Sequence, residues 1–315
     1  MNILIMGAGA VGSAFGGFLR KSGHDVTLVG RADHMNVITR HGLRISGIWG
    51  EHHVDGFHCL TQAAEAKGPF DAVLMCVKSF DSAAAAGAIK PHLSDSTLLV
   101  SLQNGVGNVE QILEATEHPW TMGGRVIFGI VRPAPGEIDI TVYTQPVMIG
   151  FSAAPLAMAG ADIIQRAQTF ADAIATAGIP CEYTPNIEQH LWAKLLYNCA
   201  LNPLSALHRV HYGALPERAE WRLCMDRIID EIFAVAAGRG VEFMWSHPDA
   251  FKALFYDKLV PDTYHHHSSM LQDIENGNRT EIDALCGMVV RYAHEQGIAV
   301  PENEVMLKTI QELSS

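Results

Sequence analysis

The hydrophobic pattern of the chain changes near Pro185. Before it, short apolar runs of strand length alternate with amphipathic helical stretches. The clearest predicted strands are Ile3–Met6, Asp25–Val29, Ala72–Val77 and Leu98–Leu102. Such alternation is typical of a doubly wound α/β fold built on a parallel sheet.

Further apolar stretches in this half have hardly any helix between them, which predicts hairpin-like additions to the sheet. They are Thr121–Gly129, Ile138–Tyr143 and Val147–Phe151. A helix over Ala161–Ala177 and a short strand over Cys181–Thr184 complete the predicted first domain, residues 1–185.

Beyond Pro185 the apolar positions recur with helical periodicity, which predicts an all-helical second domain, residues 186–315. The predicted helices are Ile187–Leu207, Glu217–Arg239, Pro261–Ile274, Glu281–Gln296 and Glu302–Leu313. Pro203 lies inside the first of them and predicts a kink or a local break there.

Glycines follow the first predicted strand at the spacing G-x-G-x-x-G. In a Rossmann-type domain the first glycine permits a tight turn, the second lets the backbone approach a pyrophosphate, and the third allows helix-on-strand packing. The predicted dinucleotide contacts are therefore Gly7, Gly9, Ala10, Val11 and Gly12. A merely glycine-rich turn is the alternative, but the strand before the motif and the helix after it favour nucleotide binding.

The residues after the second strand distinguish the two nicotinamide dinucleotides. An NAD enzyme usually has Asp or Glu there, whereas this chain has Gly30 and Arg31, and a cation suits a 2′-phosphate. NADPH is therefore the predicted cofactor. The alternative is that Arg31 is a surface arginine with no role in cofactor binding. Lys78, beyond the third strand, is either a further phosphate contact or a solvated loop lysine.

A polar stripe interrupts the first predicted helix of the second domain. Lys194, Asn198 and Asn202 stand four residues apart, and four residues advance about 40° beyond one helical turn. Burying an amine and two carboxamides costs free energy unless partners or a ligand satisfy them. The stripe therefore indicates a binding site or, alternatively, a structural hydrogen-bond network.

Four other residues are candidates for binding. Asn104 follows the fourth predicted strand, at the sheet edge where such folds bind ligands, although Asn-Gly is also a common turn pair. Ser268 and Ser269 precede a predicted helical turn, where hydroxyls often act as caps. Glu281 opens a predicted helix, where a carboxylate also interacts favourably with the helix dipole.

Composition disfavours several kinds of partner. The 315 residues include 34 acidic and 22 basic side chains, and the formal net charge of −12 disfavours nucleic acid and anionic membranes. We expect no secretory signal and no membrane span, and six scattered cysteines without C-x-x-C pairs are typical of a cytoplasmic protein.

The run His265–His267 is expected to hold no metal, because consecutive helical residues point about 100° apart.

Taken together, these segments resemble the ketopantoate reductase family (2-dehydropantoate 2-reductase, the ApbA/PanE group), essentially from end to end. Besides G-A-G-A-V-G at Gly7–Gly12, Arg31, Lys78 and Q-N-G at Gln103–Gly105, the resemblance rests on L-W-x-K-L-x-x-N-C-x-x-N-P-L-x-A at Leu191–Ala206, S-S-M-L-Q-D-I at Ser268–Ile274, T-E-I-D at Thr280–Asp283 and G-I-A-V-P-E-N at Gly297–Asn303. The step from the lysine to the first asparagine is shared more widely, with the 6-phosphogluconate dehydrogenase-like superfamily.

The resemblance implies NADPH-dependent reduction of 2-dehydropantoate (ketopantoate) to pantoate, in the synthesis of pantothenate and coenzyme A. It makes Lys194 the general acid, and Glu281 the group that positions the lysine and a substrate hydroxyl. The remaining implied contacts are Asn104, Asn198, Asn202 and Ser269 to the keto acid, Arg31 and Lys78 to the 2′-phosphate, and Asn104 also to the cofactor. Asp81 departs from the glutamine of some members, which leaves that cofactor contact open.

Two other functions stay open. One is a paralogue that reduces another branched 2-oxo acid, since members of the family differ in the pocket. The other is a non-enzymatic NADPH-binding regulator, against which the joint presence of Lys194 and Glu281 counts. Apolar helical faces in the second domain are compatible with a homodimer.

Overall fold

The computed structural model describes residues 1–314 and divides into two compact units. The sheet unit comprises Met1–Gln103 and Asn108–Ile187. The helical unit comprises Asn104–Gly107 and the chain from Glu188 onward. A four-residue segment that follows a strand of the sheet unit in sequence is thus part of the helical unit.

The sheet unit is built on an eight-stranded sheet and a smaller four-stranded sheet. The strands are β1 (Asn2–Met6), β2 (Asp25–Val29), β3 (Leu43–Gly47), β4 (His52–Val54), β5 (His58–Leu60), β6 (Ala72–Met75), β7 (Leu98–Ser101), β8 (Thr121–Arg125), β9 (Phe128–Val131), β10 (Glu137–Tyr143), β11 (Val147–Phe151) and β12 (Cys181–Tyr183). The large sheet has the order β12-β11-β8-β7-β6-β1-β2-β5 and is parallel except between β8 and β11. The predicted doubly wound fold is therefore confirmed.

The small sheet has the order β4-β3-β10-β9 and corrects part of the expectation from sequence. The stretch Ile138–Tyr143 does not extend the large sheet, because as β10 it pairs with β3, about a hundred residues earlier. The stretch Thr121–Gly129 is likewise divided between the two sheets, as β8 and the start of β9. Only β11 adds to the large sheet in the antiparallel manner expected.

Helices cover both faces of the large sheet. They are α1 (Ala10–Lys21), α2 (Ala32–His41), α3 (Ser82–Ile89), α4 (Asn108–Thr116), α5 (Ala153–Met158) and α6 (Ala161–Ala177). Alternate residues of β1 enter different cores: Ile3 and Ile5 pack with Phe15 of α1, whereas Leu4 packs with Ile89 of α3. All of these side chains are fully buried, and each contributes roughly 1.5–3 kcal/mol of hydrophobic stabilisation.

The helical unit begins with the long helix that carries the polar stripe. Its helices are α7 (Ile187–His208), α8 (Ala219–Gly238), α9 (Pro248–Leu254), α10 (Val260–Asp262), α11 (Ser269–Glu275), α12 (Cys286–Gln296) and α13 (Pro301–Leu313). Helix α7 continues through Pro203, so no break occurs there. Cys199, Leu201 and Leu204 around the proline are buried in the helical core, and this packing offsets the lost backbone hydrogen bond.

The predicted helix Pro261–Ile274 is wrong. The backbone leaves the helix after Asp262 and helical structure resumes only at Ser269. Between them the carbonyl groups of Tyr264 and His266 accept hydrogen bonds from the amides of Gly213 and Tyr212, both at 2.9 Å. These long-range bonds satisfy the backbone in place of helical ones, and no local pattern reveals them.

Two smaller expectations also change. Glu281 precedes a 3₁₀ turn, Ile282–Ala284, rather than opening an α-helix, so its place in a first helical turn is wrong. The run His265–His267 is not helical, so the 100° step between consecutive helical residues does not apply to it. Within residues 1–314 there is no group of three or more His, Cys, Asp or Glu side chains that could hold a metal ion, and no helix long and apolar enough to cross a membrane.

Candidate active site

The glycine motif of the sheet unit forms the turn between β1 and α1. Gly7 has a φ of 102°, and a Cβ atom there would overlap the backbone at Val77. A Cβ atom on Gly12 would overlap the carbonyl oxygen of Gly7, whereas at Gly9 nothing lies within 4 Å of the position it would take. The turn is therefore closely packed on one side and open at the middle glycine, as the approach of a pyrophosphate requires.

Helix α1 begins in this turn and offers its free backbone donors. Gly9 is its N-cap residue and has no side chain that could cap the first turn. The amides of Ala10, Val11 and Gly12 have no carbonyl four residues back within the helix. These donors and the helix dipole make the turn a suitable site for a phosphate group, so the residues present fit a dinucleotide.

The two cations that the sequence assigns to a 2′-phosphate, Arg31 and Lys78, lie in different segments of the sheet unit. Arg31 is exposed and is the N-cap residue of α2. Two residues later, Asp33 forms an ion pair of 3.9 Å with Arg132, which follows β9. Lys78 is half-buried and stands before a 3₁₀ turn, Ser79–Asp81.

Three side chains from distant parts of the sequence meet in the helical unit. Lys194 Nζ donates a hydrogen bond of 2.7 Å to Asn104 Oδ1. Asn104 Nδ2 in turn donates to Glu281 Oε2 at 3.3 Å. The Asn104 amide thus links the ammonium to the carboxylate, and these two partners fix which of its atoms is oxygen and which is nitrogen.

Backbone contacts hold Asn104 in this place. The amide of Val106 donates to the carbonyl oxygen of Ala284, just beyond Glu281, at 3.2 Å. Gly105 has a φ of 86°, and a Cβ atom there would overlap the same carbonyl oxygen. Only glycine permits this close approach, which explains the Asn-Gly pair. Gly105 allows the turn to contact Ala284, and Asn104 contributes its side chain to the site.

A small polar depression adjoins this linked group. Its volume is about 230 Å³ including the open mouth. It is lined by Asn104, Asn202, Ser269, Met270, Asp273, Glu281 and Leu285. Four of the residues predicted from sequence therefore line one depression, and Lys194 is joined to it through Asn104.

The two serines before the helical turn differ in their contacts. Ser268 is buried and caps α11, since its Oγ accepts the Leu271 amide at 3.0 Å. Its hydroxyl also lies 3.4 Å from the carbonyl oxygen of Asn202, to which it can donate. Ser269 is exposed and lines the depression. Capping is thus the role of the first serine, and the second is turned to the site.

The polar stripe on α7 is largely buried. Asn198 and Asn202 are only 8% and 5% exposed, and Lys194 is half-buried one turn before Asn198. The hydroxyl of Tyr212 donates to Asn202 Oδ1 at 2.6 Å. Burial raises the pKa of Tyr212 well above its usual value, so this hydroxyl keeps its proton and donates.

Sequence reasoning missed two polar residues of this site. Asp273 lies within a quoted motif, but a carboxylate on a short helix resembles any solvated acid. Tyr212 follows α7 in a 3₁₀ turn with no periodic pattern to mark it. Its only local signal is an aromatic residue with a polar tip just after a polar stripe.

This arrangement brings a cation, carboxylates, amides and a hydroxyl to one small depression. A half-buried ammonium hydrogen-bonded to an amide can polarise a carbonyl oxygen and deliver a proton to it. Amide and hydroxyl donors can bind a carboxylate without adding charge. With a Rossmann-type sheet unit and this site in a helical unit, the fold and the site define a two-domain oxidoreductase.

The chain belongs to the ketopantoate reductase PanE/ApbA family. The family model matches residues 3–191, and the model of the family's C-terminal domain matches residues 186–314. A relative from Aquifex aeolicus (strain VF5), named 2-dehydropantoate 2-reductase, is 36% identical over 312 residues, which are 99% of this chain and 96% of that protein.

Solved structures agree with this assignment. A PanE/ApbA family ketopantoate reductase from Ralstonia eutropha JMP134 superposes with a TM-score of 0.86 at 33% identity, covering 100% of this chain and 98% of that one. A D-mandelate dehydrogenase, solved with NADH and anilino(oxo)acetate, has a TM-score of 0.87 at 24% identity over 100% of this chain and 98% of its own. The second likeness concerns the fold alone.

Proposed function

We propose that this protein reduces ketopantoate to pantoate with NADPH and so serves pantothenate and coenzyme A synthesis. The observation that carries the proposal is the linked group of Lys194, Asn104 and Glu281 beside a small polar depression. Membership of the family supports it, as does the name of the Aquifex aeolicus relative.

Lys194 is the general acid of the proposed reaction. When bound, NADPH supplies the hydride that reaches the ketone carbon. Lys194 donates a proton to the ketone oxygen, while its hydrogen bond to Asn104 fixes the direction of the ammonium. Glu281 holds the other side of the Asn104 amide and accepts a hydrogen bond from a substrate hydroxyl.

The remaining polar residues bind the keto acid in this proposal. Asn198, Asn202 and Ser269 supply neutral donors to the carboxylate and hydroxyl of the substrate. These donors hydrogen-bond to an anion without adding charge, and the Lys194 ammonium supplies positive charge near the carboxylates of Asp273 and Glu281.

NADPH rather than NADH is the proposed cofactor. The turn at Gly7, Gly9 and Gly12 and the amides of Ala10, Val11 and Gly12 would hold the pyrophosphate. Arg31 and Lys78 would bind the 2′-phosphate, and Asn104 would contact the cofactor as well as the substrate. Arg31, an exposed cation two residues after the end of β2, supports this choice, since an acid near this position would favour NADH.

A panel of 2-oxo acids tests the proposed substrate. In a spectrophotometric assay of NADPH oxidation, we expect ketopantoate to give the highest kcat/KM. The analogue without the 4-hydroxyl, 2-oxo-3,3-dimethylbutanoate, should be much poorer, because the buried groups built to bind that hydroxyl are then left unpaired.

The outcomes of this panel separate the candidate functions. Another branched 2-oxo acid with a clearly higher kcat/KM would replace ketopantoate and leave the proposed chemistry in place. Reduction of none of them, together with tight NADPH binding, would favour a regulator over an enzyme.

We further propose a cytoplasmic homodimer. All six cysteines are free, which is the usual state in a reducing compartment. Leu223, Met244 and Val305 in the helical unit are large apolar residues that are at least 50% exposed. Sedimentation equilibrium would measure the mass, and a single species of 34.3 kDa at micromolar concentration would contradict the dimer.

A further inference from the structure

Tyr212 contacts Asn202 without lining the depression itself, and its side chain is held firmly. Its backbone amide donates to the carbonyl oxygen of His266 at 2.9 Å. Its ring meets the ring of Tyr197 edge-on, with centroids 5.8 Å apart, and lies 5.1 Å from the ring of His266. The side chain is 3% exposed, so its hydroxyl has a fixed position.

The Tyr212 hydroxyl favours one orientation of the Asn202 amide, because its buried proton needs an acceptor and Oδ1 supplies one. It donates to Oδ1 at 2.6 Å, and Asn202 Oδ1 is thereby occupied. The NH₂ group, a donor of two hydrogen bonds, is the end left for a ligand. An anionic oxo acid needs a donor here, and the oxygen of a reversed amide would repel it.

We propose that Tyr212 is a positioning residue for substrate binding: it fixes the Asn202 amide so that its NH₂ group meets the oxygen atoms of the oxo acid. This inference rests on the proposed function. The Asn202 main chain is tied independently, through its carbonyl oxygen to Ser268, the neighbour of Ser269. Tyr212 therefore controls the orientation of the amide rather than the place of the helix.

Tyr212→Phe removes the hydroxyl and keeps the ring. The expected result is a KM for ketopantoate raised about ten-fold, as for the loss of a buried hydrogen bond that orients a binding group. The kcat should change less than about three-fold and the Kd for NADPH should be unchanged, since Lys194 and the sheet unit keep their contacts.

Tyr197→Phe is a matched control. It also removes a mostly buried tyrosine hydroxyl, which forms a 2.6 Å hydrogen bond with Thr263 Oγ1. The ring of Tyr197 is the one that packs edge-on against Tyr212. Loss of the Tyr197 hydroxyl should disturb stability to a similar degree and leave the KM for ketopantoate within about two-fold of the wild type. An equal rise in KM for the two variants would reduce Tyr212 to a structural role.

A double-mutant cycle tests the route through Asn202. In an Asn202→Ala background, Tyr212→Phe should have no further effect on KM, because the amide that it orients is gone. Additive effects of the two substitutions would contradict the proposal.

A crystal structure of Tyr212→Phe provides a readout that does not depend on turnover. The Asn202 amide should rotate or take two orientations, as its hydrogen-bond partners would reveal. An amide unchanged from the wild type would overturn the inference. If the wild type reduces a different 2-oxo acid, the KM measurements use that acid; if it reduces none, the proposed function fails and the crystal structure alone decides the role of Tyr212.

Discussion

The two units build their candidate sites from different materials. In the sheet unit, the proposed phosphate-binding turn is made mainly of backbone amides within one stretch, Gly7–Gly12. In the helical unit, the site is made of side chains from distant segments: Asn104 lies 90 positions from Lys194 and 177 from Glu281. A backbone site tolerates changes of side chain nearby, whereas a side-chain site depends on each member. The proposed cofactor site should therefore be adjustable, and the proposed substrate site easily disabled.

The largest expected effect of a single substitution is in the helical unit. Lys194→Ala should lower kcat on ketopantoate by roughly 10²–10⁴, as the loss of a general acid does, with the Kd for NADPH little changed. Steady-state kinetics and a fluorescence titration of NADPH would measure the two quantities.

Lys308→Ala is a suitable control, since it removes a largely exposed lysine from α13 of the same unit. It should change neither quantity. Wild-type turnover by a folded Lys194→Ala protein would instead reduce the stripe on α7 to a structural network.

In the sheet unit, a single side chain should change the choice of cofactor without abolishing binding. Arg31→Ala should weaken NADPH binding by about 1.5–3 kcal/mol, the usual loss for a hydrogen bond to a charged group, and leave NADH binding almost unchanged. Dissociation constants of both dinucleotides for the wild type and the variant measure this difference.

Arg40→Ala removes a charge from the other end of the same helix α2 and serves as the control. If the two dinucleotides lost affinity equally in Arg31→Ala, Arg31 would have no specific contact with the 2′-phosphate. The contrast between an adjustable and an easily disabled site would then lose its support in the sheet unit.

How far the sequence predicts each site follows from the same difference. The glycine spacing is local, so the turn and helix α1 could be predicted from a few residues. The spacing of Lys194, Asn198 and Asn202 predicted one face of α7, because helical geometry relates residues four apart. Tyr212 could not be predicted, since its place depends on backbone pairing with Tyr264–His266, a segment that looked helical.

The small sheet escaped prediction for the same reason. The pairing of β10 with β3 joins segments about a hundred residues apart, and strand periodicity identifies strands without naming their partners. The pattern of apolar residues leaves long-range pairing undetermined, both in the small sheet and in the proposed substrate site.

The smallest expected effect concerns a buried histidine that joins elements of the sheet unit. His34 of α2 is fully buried; its Nδ1 accepts the Gly136 amide at 2.8 Å, and its Nε2 lies 2.9 Å from Ser13 Oγ of α1. Because Nδ1 accepts, the neutral ring carries its proton on Nε2 and donates it to the serine. Burial, aided by the nearby Arg132 and opposed by Asp33, lowers the pKa of His34 to about 4.

This contact makes the stability of the sheet unit depend on pH in a definite direction. The unfolded chain binds a proton at His34 below about pH 6.5, while the folded state resists it until about pH 4, so the stabilisation is complete above pH 6.5 and is lost as the pH falls toward 4. Between pH 7 and pH 5 the loss should be about 1–2 kcal/mol.

Urea unfolding of the wild type and of His34→Gln at both pH values would measure this loss of unfolding free energy. The control is His53→Gln, which replaces an exposed histidine of β4. The His34 variant should be less stable at pH 7 and lose less on acidification; equal losses for wild type and His34→Gln would show that this histidine is not the acid-sensitive contact of the sheet unit.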